Sequence, residues 1–177
     1  MDHVAEAALD GARGNSGAIM AQYFHGFREA VAGRRMLTAD SFAQAAMAGA
    51  AAAWTAMSKP VQGTLPTVLD VIARVADALA YAHSQKIVHR DIKPGNIIFN
   101  PDTRGIKITD FGIAKISDDS RTRTGTVMGS PLYMSPEQLK GQKVSGASDI
   151  YSLGITLYKL VSGETPYQGD TLANLTY

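Results

Sequence analysis

Near Ala82 the hydrophobic period of the chain changes, and this break constrains the fold more than any other feature. Upstream, apolar residues recur every three or four positions. Ile19, Met20, Tyr23, Phe24 and Phe27 fit one helix over 18–27, and AQAAMAGAAAAW fits a second that starts near Thr38 or Asp40 and ends before Pro60. A short polar turn around Gly33 joins them. A third helix is predicted over 67–83, just after Pro66, with Val68, Ile72, Val75 and Leu79 on one face and Asp70, Arg74 and Asp77 off it. Downstream the segments shorten. KIVH, NIIF and IKIT read as brief strands, with NPDTRG as a tight turn between the last two. DIYSLGITLYKLV reads as a helix over 148–161 with Ile150, Leu153, Leu157 and Leu160 on one side and Gly163 as its C-terminal cap. The fold class that follows is mainly α with short β-hairpins.

At 177 residues the chain can hold one domain with a real core, or two small ones. The 17 basic and 16 acidic residues nearly cancel, so charge gives no footprint for nucleic acid or an anionic membrane. No cysteine is present, which removes thiolate chemistry and Cys-based zinc sites and agrees with a reducing compartment. His3, His25, His83 and His89 lack metal-ligand spacing. The start, MDHVAEAALDGARG, has no basic segment followed by an apolar core, and no apolar run approaches membrane-spanning length. The expectation is a soluble cytoplasmic protein that binds neither nucleic acid nor membrane.

An aspartate in a loop is ordinarily a solvated turn residue. Asp91, however, lies in HRDIKPGN, which is followed in order by ITDFG, GSPLYMSPEQ and SDIYSLG. These four motifs resemble the second lobe of a bacterial Hanks-type Ser/Thr protein kinase, over about 83–177 and from Val68 if the preceding helix is included. Phosphoryl transfer needs the nucleophile, phosphates and metals held in line and their charge balanced. The resemblance implies that Asp91 accepts the proton of the substrate hydroxyl. It also implies that Lys93 neutralises charge on the transferred group, and lysine there favours Ser/Thr over Tyr. Asn96 and Asp110 would hold Mg2+, a hard cation served by a few oxygen ligands. His89 has a structural role, Phe111 packs beneath the metal-binding aspartate, and Asp149 binds the catalytic-loop backbone. Read locally, Asn96 is equally a turn cap and Asp149 an N-cap.

Between DFG and SPE, the resemblance implies an activation loop in which Thr122, Thr124 and Thr126 stand beside Arg121 and Arg123. A phosphate there would pair with Arg90 and order the loop; an unmodified polar loop is the other reading. Ser130 stands in the substrate-proximal loop where the family usually has threonine. Glu137, of Ser135-Pro136-Glu137, pairs in the family with an arginine from a later helix. In this chain it is expected to be more exposed, or to pair with Lys140 or Lys143.

A kinase also needs a glycine-rich lid, a strand lysine and a helix glutamate upstream of His89, and no V-A-I-K-like segment is found there. GARGNSG reads as a turn into the helix 18–27, whose N–H groups and Ser16 hydroxyl suit an anion. GARGNSGAIMAQYFHGF and, further on, KPVQGTLPTV resemble the DhaL-type nucleotide-binding domain of dihydroxyacetone and fatty acid kinases, over about 4–71. That resemblance implies phosphate contacts from Gly14, Asn15, Ser16 and Gly17, with Gly63 and Thr64 nearby, but the family's aspartate-rich DGDTGTN segment is missing. The chain therefore reads as a chimera: a helical DhaL-like fragment over 1–66 and a truncated kinase C-lobe over 67–177. ATP and Mg2+ are the implied cofactors, bound weakly. Three functions stay open: an inactive or weak Ser/Thr phosphotransferase, a pseudokinase-like module that binds a protein partner or itself through an exposed apolar face, and a fusion without selected function.

Overall fold

The computed structural model describes residues 2–57, 64–111 and 131–167. The chain divides into two units, Met1–Tyr81 with Pro101–Arg104, and Ala82–Asn100 with Gly105–Tyr177. Among the described residues the architecture is mainly helical with one small antiparallel sheet.

In the first unit α1 (Asp2–Gly11), where the sequence pattern predicts no helix, precedes α2 (Gly14–Val31). α2 starts four residues before the expected Ala18, because Gly14 takes a left-handed φ of 63° that turns the chain straight into the helix. A turn with Gly33 at φ 76° leads to α3 (Ala39–Thr55). Thr38 caps α3 reciprocally: its Oγ1 accepts from the Ser41 N–H at 3.2 Å, and Ser41 Oγ accepts from the Thr38 N–H at 2.8 Å. The two helices approach closely because glycines stand at the crossing. A Cβ on Gly26 would lie 2.8 Å from the Ala48 carbonyl oxygen, and one on Gly49 would lie 2.7 Å from that of Tyr23. Alanines 43, 45, 46, 50 and 53 and the rings of Tyr23 and Phe27 fill the core, with Phe27 edge-on to Phe42 at 5.4 Å. Burial pushes the Tyr23 hydroxyl up to about 12.

α4 (Leu65–Ser84) buries Leu69, Ile72, Val75 and Leu79, and Pro66 stands inside its first turn rather than before it. Asp70, expected off the apolar face, is also buried. It accepts from Arg74 Nε at 3.0 Å and from Arg104 at 2.9 Å, and the Arg104 guanidinium sits 5.4 Å from the centre of the Trp54 ring.

In the second unit β1 (Ile97–Asn100) pairs with β2 (Gly105–Ile108), with Ile97 opposite Ile108 and Asn100 opposite Gly105. KIVH does not form the expected strand. Its amides are used otherwise: Ile87 N–H bonds the Ala82 carbonyl at the end of α4, and His89 N–H bonds a side chain further down the chain. After the short α5 (Pro136–Leu139), capped by Ser135, comes α6 (Gly146–Ser162), capped by Ser145 and ended by Gly163 at φ 82°. The buried face of α6 shares only Leu153 with the predicted apolar stripe. It consists of Ser148, Asp149, Ser152, Leu153, Ile155 and Thr156, while Leu160 is exposed. The hydroxyls are satisfied locally: Ser152 Oγ donates to the Tyr133 carbonyl at 2.7 Å, and Thr156 Oγ1 to the Ser152 carbonyl at 2.8 Å. Among the described residues no helix is long and apolar enough to cross a membrane.

Candidate functional site

The site of the second unit is a loop, residues 87–96, fastened to α6 by one carboxylate. Asp149 is fully buried, in the first turn of α6. Its Oδ1 accepts from the Arg90 N–H at 2.7 Å, and its Oδ2 accepts from the His89 N–H at 2.8 Å and from His83 Nε2 at 2.7 Å. The capping task that local sequence left open for Asp149 falls to Ser145. Arg90, at φ 69°, turns the chain so that both amides face the carboxylate, and its own carbonyl accepts from Gln138 Nε2 at 2.8 Å.

His89 is fully buried and ties the loop to the end of the hairpin. Nε2 faces the Thr109 carbonyl at 2.9 Å, which can only accept, and Nδ1 faces the Asp91 N–H at 3.2 Å, which can only donate. The proton is thereby assigned to Nε2. The Phe111 ring lies 4.5 Å from the imidazole, centre to centre.

With its backbone held by His89, Asp91 presents a carboxylate whose Oδ2 accepts from Lys93 Nζ at 3.0 Å and from Asn96 Nδ2 at 3.1 Å. Asn96 Nδ2 also donates to the Asp91 carbonyl at 2.8 Å. Pro94–Asn96 forms a 3-10 turn ahead of β1, and it is this turn that brings a buried Asn96 back onto Asp91. Among the described residues Asp91 Oδ1 has no hydrogen bond, so a proton donor can approach it. Asn96 spends its amide nitrogen on Asp91 and keeps its oxygen for another partner. Asp110, in the left-handed region at φ 56°, is exposed. An amide oxygen and a carboxylate are the donor types a magnesium ion takes. No cluster of three or more His, Cys, Asp or Glu that would suit a metal occurs among the described residues.

Glu137 has a partner different from those expected: it accepts a hydrogen bond from Ser148 Oγ, not an ion pair from Lys140 or Lys143. That bond holds its carboxyl below the usual 4.5, against the opposing effect of burial. Arg90 keeps a buried Nε without a hydrogen-bond partner among the described residues. Burial raises the Tyr133 hydroxyl, and the Lys93 charge pulls it the other way. Thr122, Thr124, Thr126 and Ser130 lie outside the described residues. Gly14, Asn15, Ser16 and Gly17 belong to the first unit, where they form the opening turn of α2; Arg13 before them supplies no side-chain cap. Sequence reasoning does not single out His83, Gln138 or Thr109. Gln138 carries a local capping signal with Ser135, but nothing local marks the bonds that the three make to distant residues.

Residues 47–176, most of the chain, match the family model described as the protein kinase domain. The chain belongs to the protein kinase domain family. Two similar members are the serine/threonine-protein kinases PknA and PknB of Mycobacterium tuberculosis. PknA is 50% identical over 108 residues, which are 60% of this chain and 25% of PknA. PknB is 43% identical over 112 residues, 62% of this chain and 18% of PknB. This kinase-family chain thus spans about a quarter or less of the relatives it matches.

Proposed function

We propose that residues 82–167 form the catalytic half of a Ser/Thr protein kinase that transfers the γ-phosphoryl group of ATP to a protein hydroxyl. The observation that carries this reading is the Asp91 carboxylate, with Oδ2 pinned by Lys93 and Asn96 and Oδ1 left open. A Ser or Thr hydroxyl at Oδ1 is oriented by that hydrogen bond and gives up its proton there as its oxygen bonds the γ-phosphorus, while the bond from that phosphorus to the β–γ bridging oxygen breaks and ADP leaves. Lys93 stands beside the same carboxylate, where its charge offsets that of the incoming phosphates. Asn96 and Asp110 supply the oxygens for Mg2+, which neutralises phosphate charge when bound. Asp149 and His89 act on the backbone, fixing where Asp91 points.

Alone, the 177-residue chain is expected to transfer little phosphate, because held geometry is worth roughly 7–11 kcal/mol and needs ATP gripped from both sides. The test supplies the missing grip: replace 1–66 with the corresponding upstream part of PknA and assay γ-labelled ATP with a generic Ser/Thr peptide. Transfer should appear and should fall about 10²- to 10⁴-fold in Asp91→Asn. A fusion that folds and binds magnesium ATP yet transfers no label would overturn the proposal. Asp91-dependent transfer by the chain alone would overturn the expectation that it holds only half of a working site.

The finer reading of 4–71 as DhaL-like rests on GARGNSG and is supported by its place at the opening of α2, where backbone N–H groups lack helical partners. A second reading of the whole chain, a non-catalytic module that self-associates or takes a protein partner, is favoured by Tyr158, Leu160 and Val161, which are 50%, 42% and 44% exposed near the end of α6. Sedimentation with and without magnesium ATP separates a monomer from a self-associating chain.

A further inference from the structure

The turn between α2 and α3 borders an open pocket of about 500 Å3 lined by Arg28, Val31, Arg34, Arg35, Met36 and Leu37, together with Ala32 and Gly33. That volume falls within the range of small-ligand sites. The lining contains three arginines and no acidic residue. Arg28 is engaged by Glu29 at 2.9 Å, whereas Arg34 and Arg35 have neither an ion pair nor a side-chain hydrogen bond among the described residues. The end of a helix ordinarily presents carbonyls that repel an anion. Here the Glu29 and Val31 carbonyls already accept from the Ala32 and Arg34 amides, so part of that negative edge is used up. On the other side the wall is apolar: Met36 is 84% exposed and Leu37 43%, although both are large hydrophobic residues.

We infer that this pocket is a binding site for a phosphate monoester whose ester group is apolar. Two unpaired guanidiniums match a dianion, whereas a carboxylate would satisfy one of them; the planar fork of arginine bonds phosphate oxygens in pairs. Met36 and Leu37 then cover the carbon portion of the ester, as exposed apolar side chains beside a charged site do when a ligand fills it. Gly33, at φ 76°, bends the chain so that Arg34 and Arg35 line the same pocket as Arg28. The monoester comes either as a free small molecule or as a phosphorylated side chain. Nothing in this inference depends on the kinase reading of the second unit.

The experiment is a titration of the full chain, followed by calorimetry, with 1-naphthyl phosphate and with a phosphothreonine peptide carrying a neighbouring leucine. Inorganic phosphate and the unphosphorylated peptide serve as controls. One or both monoesters should bind at least 10-fold more tightly than their controls, and the stronger of the two identifies the source. Arg34→Ala/Arg35→Ala should weaken that binding 10-fold or more. Met36→Ala should weaken the monoester about threefold and leave inorganic phosphate unchanged. Both arginines are exposed, and circular dichroism checks that the variants keep their helices; Arg34→Lys/Arg35→Lys, which keeps the charge, should recover only part of the affinity. Equal affinity for monoester and control, no binding at millimolar concentration, or binding that survives the double alanine substitution would each overturn the assignment.

Discussion

Removing the Asp149 carboxylate should cost more stability than any other single polar change in the second unit. Asp149→Ala leaves three donors facing the vacated space: the amides of His89 and Arg90 and the Nε2–H of His83. A buried donor without a partner costs about 1–3 kcal/mol, so the sum lies at roughly 3–9 kcal/mol. Water entering the space relieves part of it and leaves roughly 3–5 kcal/mol. Asp149→Asn keeps one oxygen. Turned toward His83 and His89 it holds two bonds, but its NH2 then meets the Arg90 N–H, which predicts a smaller loss of about 1–3 kcal/mol. Urea unfolding followed by circular dichroism should give midpoints that fall from the parent chain to Asp149→Asn and again to Asp149→Ala, with an unchanged slope. Hydrogen exchange should show the His89 and Arg90 amides losing protection first. If Asp149→Ala falls within about 0.5 kcal/mol of the parent chain, the range of an indifferent surface change, the fastening role is wrong.

Two further outcomes follow from the packing and from the carboxylate of Glu137. Gly49→Ala should destabilise by about 1–3 kcal/mol because the added carbon meets the Tyr23 carbonyl, whereas Gly154→Ala, with open space around it, should be neutral or stabilise by up to about 1 kcal/mol; thermal melts showing the same sign for both would refute the close helix crossing. Glu137 has a lowered folded-state pKa, so its stabilisation is present above 4.5 and is lost as pH falls through the folded value. Glu137→Gln should therefore flatten the acid limb of stability against pH, and coincident profiles for the two chains would show that the Ser148 bond contributes nothing.

The position of α3 was legible because burial there follows a single period, whereas α1 gave no such signal. AQAAMAGAAAAW is apolar along its inward face and capped by a local Thr38–Ser41 pair, so the signals for its start and its orientation both lie within the segment. α6 shows why that logic fails further on. The predicted stripe was Ile150, Leu153, Leu157 and Leu160, of which Leu153 is buried; the helix also turns Ser148, Asp149, Ser152 and Thr156 inward, because their hydrogen-bond partners lie on the loop, on Glu137, on Tyr133 and on the helix itself. A periodicity argument reads polar residues as solvent-facing and so misplaces a face that is buried by hydrogen bonding. In the site, the identities of Asp91, Lys93 and Asn96 were legible from HRDIKPGN. The pairing of His83 with Asp149 was not: it joins residues 66 apart in sequence, and no spacing rule reaches that far.

The glycine crossing of α2 and α3 also sets an order of assembly. Its partners are near in sequence and joined by one turn, so little loop entropy opposes their meeting, and the hairpin can close while later residues are still being synthesised. The Asp149 carboxylate reaches back 60 residues to the His89 amide, and that contact waits until α6 has emerged. A ribosome that pauses between those two points displays a finished helical hairpin followed by the 87–96 loop with no anchor.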